Sequence, residues 1–282
     1  MMANGMCKLT GDVGPFVKAH IFPKALTYPA EKGMPFVQSG QDSPPVKRWS
    51  SWYDPAIVTR AGEDILEEYD TSAIEELRRH KLVWSSWGTD KSLASEDFFP
   101  IPETDGWGVR AIKGLDGARL RLFFLSLLWR TAVSEMVEFK EVSLRASELR
   151  RLRRMLVERD PNPLDRFPIT LTQLSTIGVI HNHAPLSQRK PRDLSKPNGP
   201  TIPIFRFYFD GLIAHIHRES SPQEVEELGN MFLGVGEVTA VSTVTFEKSW
   251  QRDNLAELMA EAFTRWPERM ERIPGFSRKD LR

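Results

Sequence analysis

Between Gly62 and Arg79, Ile65, Tyr69, Ala73 and Leu77 recur at every fourth position, the spacing that puts them on one face of a helix. Arg78, Arg79 and Lys81 suit its carboxyl end, where the helix carries partial negative charge. A second helix is predicted from a capping Asp116 to about Val137; its Leu and Phe residues lie on nearly all sides, as in a helix enclosed all round. From Ser147 to Arg159 the pattern is amphipathic, with Leu149, Leu152, Met155 and Leu156 on one face and arginines on the rest. Pro161, Pro163 and Pro168 end it, because proline lacks the helical donor and restricts the residue before it.

Beyond these helices the apolar positions suggest strands. Ile204 to Phe209 and Leu212 to Arg218 flank Asp210-Gly211, the dipeptide that two-residue hairpin turns favour because both positions need positive φ. Gly236 to Phe246 reads as a further strand, and Asp253 is expected to cap a final helix whose Leu255, Leu258, Met259 and Phe263 face inward. Near the amino terminus, Phe16 to Leu26 reads as a short extended stretch and Tyr28 to Val46 as an exposed loop. Pro, Gly and Asp between Thr89 and Gly108 mark a boundary placed near residue 90. The expectation is an α+β protein: a small module over residues 1–90, then a larger α+β unit over 91–282 with central helices and an antiparallel carboxyl-terminal sheet.

Composition narrows the picture in three ways. The 38 basic residues balance 38 acidic ones, so any binding of nucleic acid has to come from a local patch. Cys7 is the single cysteine, which excludes an intramolecular disulfide and an all-cysteine zinc site. Leu120 to Val133, the longest apolar run, contains Arg121 and Arg130 and is too short to span a bilayer; Met1 to Asp12 lacks an apolar signal segment. A cytoplasmic protein without membrane contact is expected.

Two short stretches carry a likeness. Cys7-Lys-Leu-Thr10-Gly11 followed by Val17-Lys-Ala-His20-Ile-Phe-Pro23-Lys-Ala-Leu26 resembles the opening of bacterial HNH-type endonuclease-like proteins, where a Cys-x-x-Cys knuckle precedes a Ser-His-Ile-Ile-Pro-Lys-like segment. Tyr53-Asp54-Pro-Ala-Ile57-Val58-Thr59-Arg-Ala-Gly62-Glu63 matches the family's second knuckle region with both cysteines replaced, and Leu122 to Ser134 resembles the helix that follows in larger relatives. The resemblance implies a degenerate treble-clef, ββα-type module at the amino terminus. It aligns Cys7, Thr10, Thr59 and Gly62 with the four zinc ligands; one thiolate among them is too few for a tetrahedral nitrogen or sulfur site, so no structural zinc is expected.

The same resemblance assigns roles. His20 matches the general base, which at neutral pH can take a proton from water. Asp54 falls near the middle polar position and Glu63 near the helix-borne metal ligand, so magnesium or manganese is expected only if catalysis is retained. A structural reading stands beside each: Asp54 as a turn cap, Glu63 as a favourable residue at a helix amino end, and His20 as a satisfied buried histidine.

Other residues carry paired readings too. Arg150, Arg151, Arg153 and Arg154 form either a phosphate-contacting patch or a solvated helix face with Glu148 and Glu158 as partners. His181 and His183 alternate in a possible strand, and His215 and His217 lie on one side of the hairpin; they are either a transition-metal quartet or ordinary polar-face residues, the second being preferred. Trp49, Trp52, Trp84 and Trp87 either stack on bases or pack, with Trp49 and Trp52 as apolar substitutes for the lost zinc. Three functions remain open: a noncatalytic or weakly active HNH-like module that binds DNA, RNA or another protein; an active metal-dependent endonuclease; and an interaction protein whose function lies in the carboxyl-terminal unit.

Overall fold

The computed structural model describes residues 3–27, 36–40, 43–49, 51–191, 198–218 and 220–272. It is a mixed α+β protein. Along the amino-terminal part run β1 (Asn4–Met6), β2 (Val13–Pro15), β3 (Ala19–His20), β4 (Phe36–Gly40), β5 (Ser43–Arg48) and β6 (Tyr53–Asp54), then helix α1 (Arg60–Arg79). There follow β7 (Phe99–Pro100), β8 (Trp107–Lys113), α2 (Gly117–Val133) and α3 (Ala146–Glu158). The remainder comprises β9 (Ile169–Leu174), β10 (Leu186–Pro191), β11 (Thr201–Phe209), β12 (Leu212–His217), α4 (Pro222–Leu228), β13 (Val238–Val244), α5 (Trp250–Arg265) and α6 (Pro267–Glu271).

Seven strands form one sheet in the order β10-β11-β12-β9-β13-β8-β7. The expected all-antiparallel arrangement is corrected at one seam, where β13 runs parallel to β9; the sheet is mixed. Parallel neighbours need a long crossover, and the chain supplies one through the β10–β12 strands and α4. The β11–β12 hairpin forms as predicted, with Asp210 at φ 52 and Gly211 at φ 79. Gly211 is required twice over, since a Cβ there would come within 2.4 Å of the Trp84 indole.

Alternation along the strands separates two faces. Phe205, Phe207 and Phe209 of β11, Leu212, Ala214 and Ile216 of β12, and Ile169 and Leu171 of β9 belong to the main core with Phe123, Phe124 and Leu127 of α2. Helix α2 is buried on every side, as its composition predicts, because α1 and α3 also pack on it. Asp116 caps it by accepting from Arg119 N at 3.0 Å, but it ends at Val133, short of the predicted Val137. There Ser134 turns extended and its hydroxyl donates to Asp54 Oδ2 at 2.7 Å.

The face of α1 that is fully buried is Gly62, Leu66, Tyr69, Ala73 and Leu77, with Ile65 partly buried against it. Core residues from both sides of position 90, from Cys7 and Leu9 to Phe207 and Val241, form one continuous cluster. Three further expectations are corrected. Part of the predicted Tyr28–Val46 loop is the β4–β5 hairpin, whose prolines Pro44 and Pro45 are tolerated in a two-stranded ribbon where no ladder must continue beyond them; residues 28–35 lie outside those described. Ser249, not Asp253, caps α5, accepting from Arg252 N at 3.2 Å. His181 and His183 lie outside any strand.

Candidate pocket around His20 and Glu63

The β1–β2 ribbon and the start of α1 bring the four aligned knuckle positions together. Cys7 is 1% exposed, and its Sγ accepts from Thr10 N at 3.4 Å. Burial pushes the thiol up, but hydrogen bonds from Thr10 and from backbone N–H groups of Thr10, Thr59 and Leu9 outweigh it and bring it below its ordinary value. At the fourth position a Cβ on Gly62 would meet Cys7 Sγ at 2.6 Å, so the sulfur rests on bare helix backbone. The corner is closed by contact. One thiol, two hydroxyls and a glycine do not fit a structural zinc, which needs four nitrogen or sulfur donors.

Just beyond this corner β3 pairs with β6, setting His20 opposite Tyr53 and Ala19 opposite Asp54. His20 then faces the first turns of α1. Both line a cleft of about 470 Å³ with Lys18, Lys24, Arg60, Glu63, Glu67 and Asp70. Helical spacing puts Glu63, Glu67, Asp70 and Ile74 on one stripe of α1, and all four line this cleft.

Behind the cleft lining lies Arg130, bonded to His20 and Asp70. This residue is 1% exposed within the apolar α2. It grips Asp70 through both terminal nitrogens, at 3.0 and 2.5 Å, and also donates to His20 O at 3.0 Å and Ser126 Oγ at 2.9 Å. A buried guanidinium needs a carboxylate and acceptors to offset its lost hydration; this constellation provides the carboxylate and acceptors for both terminal nitrogens, while Nε is left without a partner. It ties α2, α1 and the strand carrying His20 into one rigid base. Asp70 and Arg130 were missed as site residues in the sequence; the available signal was an arginine inside a helix otherwise too apolar to face water.

Burial lowers the His20 imidazole below its ordinary value, aided by Lys18, Arg130 and Lys24 and opposed by Asp70. The ring is therefore neutral at pH 7, and no protein group hydrogen-bonds it among the described residues. Burial raises the Glu63 carboxyl, with Arg130 and the His20 backbone N–H opposing and Asp70 adding to the rise. Its Oε2 is buried without a hydrogen-bond partner. Lys18, Lys24 and Arg60 are exposed at the rim; Lys18 lies 3.5 Å from the Tyr53 ring centroid, and Arg60 is 3.6 Å from Asp64.

Asp54 does not join His20 and Glu63. Its carboxylate accepts from Ala56 N at 2.9 Å and from the Ser134 hydroxyl, holding the β6 turn against the end of α2. Among the described residues no three His, Cys, Asp or Glu side chains are gathered as a metal ion requires. With Asp54 turned away and Asp70 held by Arg130, His20, Asp54 and Glu63 do not fit a shared magnesium or manganese.

The remaining candidates are dispersed. Arg153 donates to Leu9 O and, at 2.9 Å, to Thr10 O, pinning the knuckle loop to α3; Arg150 and Arg154 are exposed and Arg151 half-buried. Glu148 pairs with Arg218 and Arg145 rather than with the arginine face of α3, and those partners bring its carboxyl down to about 2. Trp52, Trp84 and Trp87 are each 4% exposed and so cannot stack on bases, whereas Trp49 is 72% exposed and fills no core. Trp52 packs edge-on against Phe22 and Phe139. His181 Nε2 and His183 Nε2 are taken up by Gln251 Nε2 and Asn254 Nδ2, each at 2.8 Å, which removes them from any metal-binding quartet.

Fold and pocket together define an α+β protein with a neutral histidine, a half-buried carboxyl and a cationic rim beside an Arg–Asp pair. No helix among the described residues is long and apolar enough to cross a membrane. Compared with known proteins, the chain matches no family model, no curated protein and no solved structure.

Proposed function

We propose that this chain is a nucleic-acid-binding protein of HNH-like character that holds a backbone phosphate at the His20–Glu63 cleft and is at most weakly hydrolytic. The observation that carries this reading is the division of charge in the cleft. Asp70 is neutralised by Arg130, and Glu63 is pushed toward its neutral form, while Lys18, Lys24 and Arg60 stay exposed at the rim. A phosphate entering there meets exposed cations, with Glu67 as the exposed carboxylate on the same stripe. The convergence of Cys7, Thr10, Thr59 and Gly62 supports the HNH-like part of the reading, since two short segments far apart in sequence meet at the positions that the resemblance aligns.

Anisotropy titrations with labelled duplex and single-stranded DNA and RNA across salt concentration test it. Binding should weaken with salt, and Lys18→Ala with Lys24→Ala should reduce the logarithmic slope by about 2 on duplex DNA. Absence of salt-sensitive binding to any of these nucleic acids would remove the proposal. A second reading, residual hydrolysis, is favoured by the neutral His20 ring open to the cleft. Cleavage lost in His20→Ala would establish it, and cleavage unchanged by that substitution would refute it.

A further inference from the structure

The sheet face turned away from α2 carries basic side chains with too few acceptors. On β12 His215 stands directly opposite Arg206 of β11, and Arg206 opposite Leu186 of β10. His217 and Lys190 project to the same side, being even numbers of residues from His215 and Leu186. The register therefore gathers two histidines, an arginine and a lysine from three adjacent strands.

Arg206 is 6% exposed. One terminal nitrogen donates to Gln251 Oε1 at 2.7 Å, and the guanidinium lies 4.2 Å from the Trp250 ring centroid. Its Nε has no partner, and no carboxylate pairs with it among the described residues. His217, 2% exposed, has Nε2 3.4 Å from Thr170 Oγ1, an unpartnered Nδ1, and Phe232 packed edge-on. Half-buried His215 and Lys190 make no hydrogen bond or ion pair among the described residues and give the group a side reachable from solvent.

Charged and titratable neighbours do not balance this set. Among the described residues Glu224 of α4 is the carboxylate felt by Lys190, and Tyr208 lies beside Arg206. His181 and His183 approach from the segment before β10 with their Nε2 atoms already occupied. Burial depresses all of the cluster: Lys190 falls to about 8, Arg206 to about 9 and His217 to about 3, while His215 drops well below its usual value. Desolvated donors without acceptors are costly, and the ligand that relieves them is one with several charged oxygens in a small volume.

We propose that Arg206, His215, His217 and Lys190 form a binding site for a phosphate group, supplied either as the free ion or as a terminal phosphate on a nucleotide chain. It shares no residue with the His20 cleft, so the two readings fail separately. Titration of the full-length, ¹⁵N-histidine-labelled protein with inorganic phosphate at constant ionic strength tests it through the imidazole signals. Saturable shifts at His215 and His217 are expected, with affinity weakened about tenfold or more in Lys190→Met and in His215→Gln. Lys18→Ala with Lys24→Ala should leave the shifts intact. Lys190→Met should also leave the thermal midpoint of the ligand-free protein unchanged or raised, because an unpaired cation is removed; a purely structural lysine would cost stability. No saturable shift, or one that survives both cluster substitutions, overturns the proposal. A 5′-phosphorylated dinucleotide that binds more tightly than inorganic phosphate identifies a chain end as the source, and equal affinity identifies the free ion.

Discussion

The amino-terminal corner and the outer face of the sheet differ in how a buried cation is paired. Around Cys7 the polar demand is reduced: a thiol, two threonines and a glycine close by direct contact, and the charge beneath, Arg130, has its carboxylate in Asp70 and both terminal nitrogens bonded to Asp70, Ser126 and backbone carbonyls, leaving its Nε and Thr59 Oγ1 as the orphaned atoms. Around Arg206 the demand remains. Guanidinium, ammonium and imidazoles lie together with Glu224 as their carboxylate neighbour, and donors at Arg206 Nε and His217 Nδ1 go unmet. A buried cation that already holds its carboxylate has little to gain from an anionic ligand, whereas one without is stabilised by whatever supplies charged acceptors. The first therefore acts as a platform for the exposed rim of the His20 cleft, and the second as a site in its own right.

The contrast is broken most severely at Asp70. Asp70→Asn should destabilise the protein by about 3–5 kcal/mol in urea unfolding, because it leaves the Arg130 charge buried without its carboxylate. A loss below about 1 kcal/mol would mean that the corner is not satisfied in the way described.

Acid separates the regions next. For His181, His183 and His217 the folded value is depressed, to about 3, about 4 and about 3, chiefly by burial. The unfolded chain then binds protons first. Stability is at its full value above the unfolded pKa near 6.5 and falls as pH drops from there toward 4 or 3, by at most about 1.4 kcal/mol per histidine per pH unit. Denaturation midpoints between pH 7 and pH 5 should show this fall, and His217→Gln should flatten it. An unchanged slope in that variant would show that His217 is not the proton-sensitive group. Phosphate should oppose the loss.

A smaller effect is expected at the knuckle. Gly62→Ala forces a Cβ to 2.6 Å from Cys7 Sγ and 2.9 Å from Val58 Cβ, tighter than real contacts allow. The cost should be about 1–3 kcal/mol, as for other overpacked sites. Combining it with Cys7→Ala should cost less than the two single changes added together, since the second removes the obstructing sulfur; strict additivity would show that the two positions do not touch. The least expected effect lies outside both regions: Ser249→Ala should lose about 1 kcal/mol as a cap, and Asp253→Ala only a few tenths. The reverse order would restore Asp253 as the capping residue.

Much of the architecture was legible because local rules sufficed. Asp116 beginning an enclosed helix, the amphipathic α3 and the Asp210-Gly211 turn follow from capping, periodicity and the need for positive φ. Ser249 was passed over for Asp253 because both are good capping residues and lie within one turn, so that composition alone does not choose between them. The parallel β9–β13 seam was invisible, since pairing direction depends on how the crossover packs and not on either strand's own sequence.

For the candidate sites the division is sharper. His20 and Glu63 were singled out by the resemblance to HNH-type proteins, and they do line one cleft. Asp54 could not be told apart from a ligand until the Ser134 hydroxyl and Ala56 N–H were seen to occupy it. By itself the sequence determined the four longer helices, the β11–β12 hairpin and the single available thiol, because each rests on spacing and residue chemistry within a few positions; the short α4 and α6 were not read from it. Only the tertiary structure decided that Arg130 would find Asp70 and that Arg206 would sit on the strand between those carrying Lys190 and His215, with no carboxylate pairing it among the described residues. Such pairings join residues far apart in the chain, and burial sets their energy: the same groups in water would cost almost nothing to leave apart.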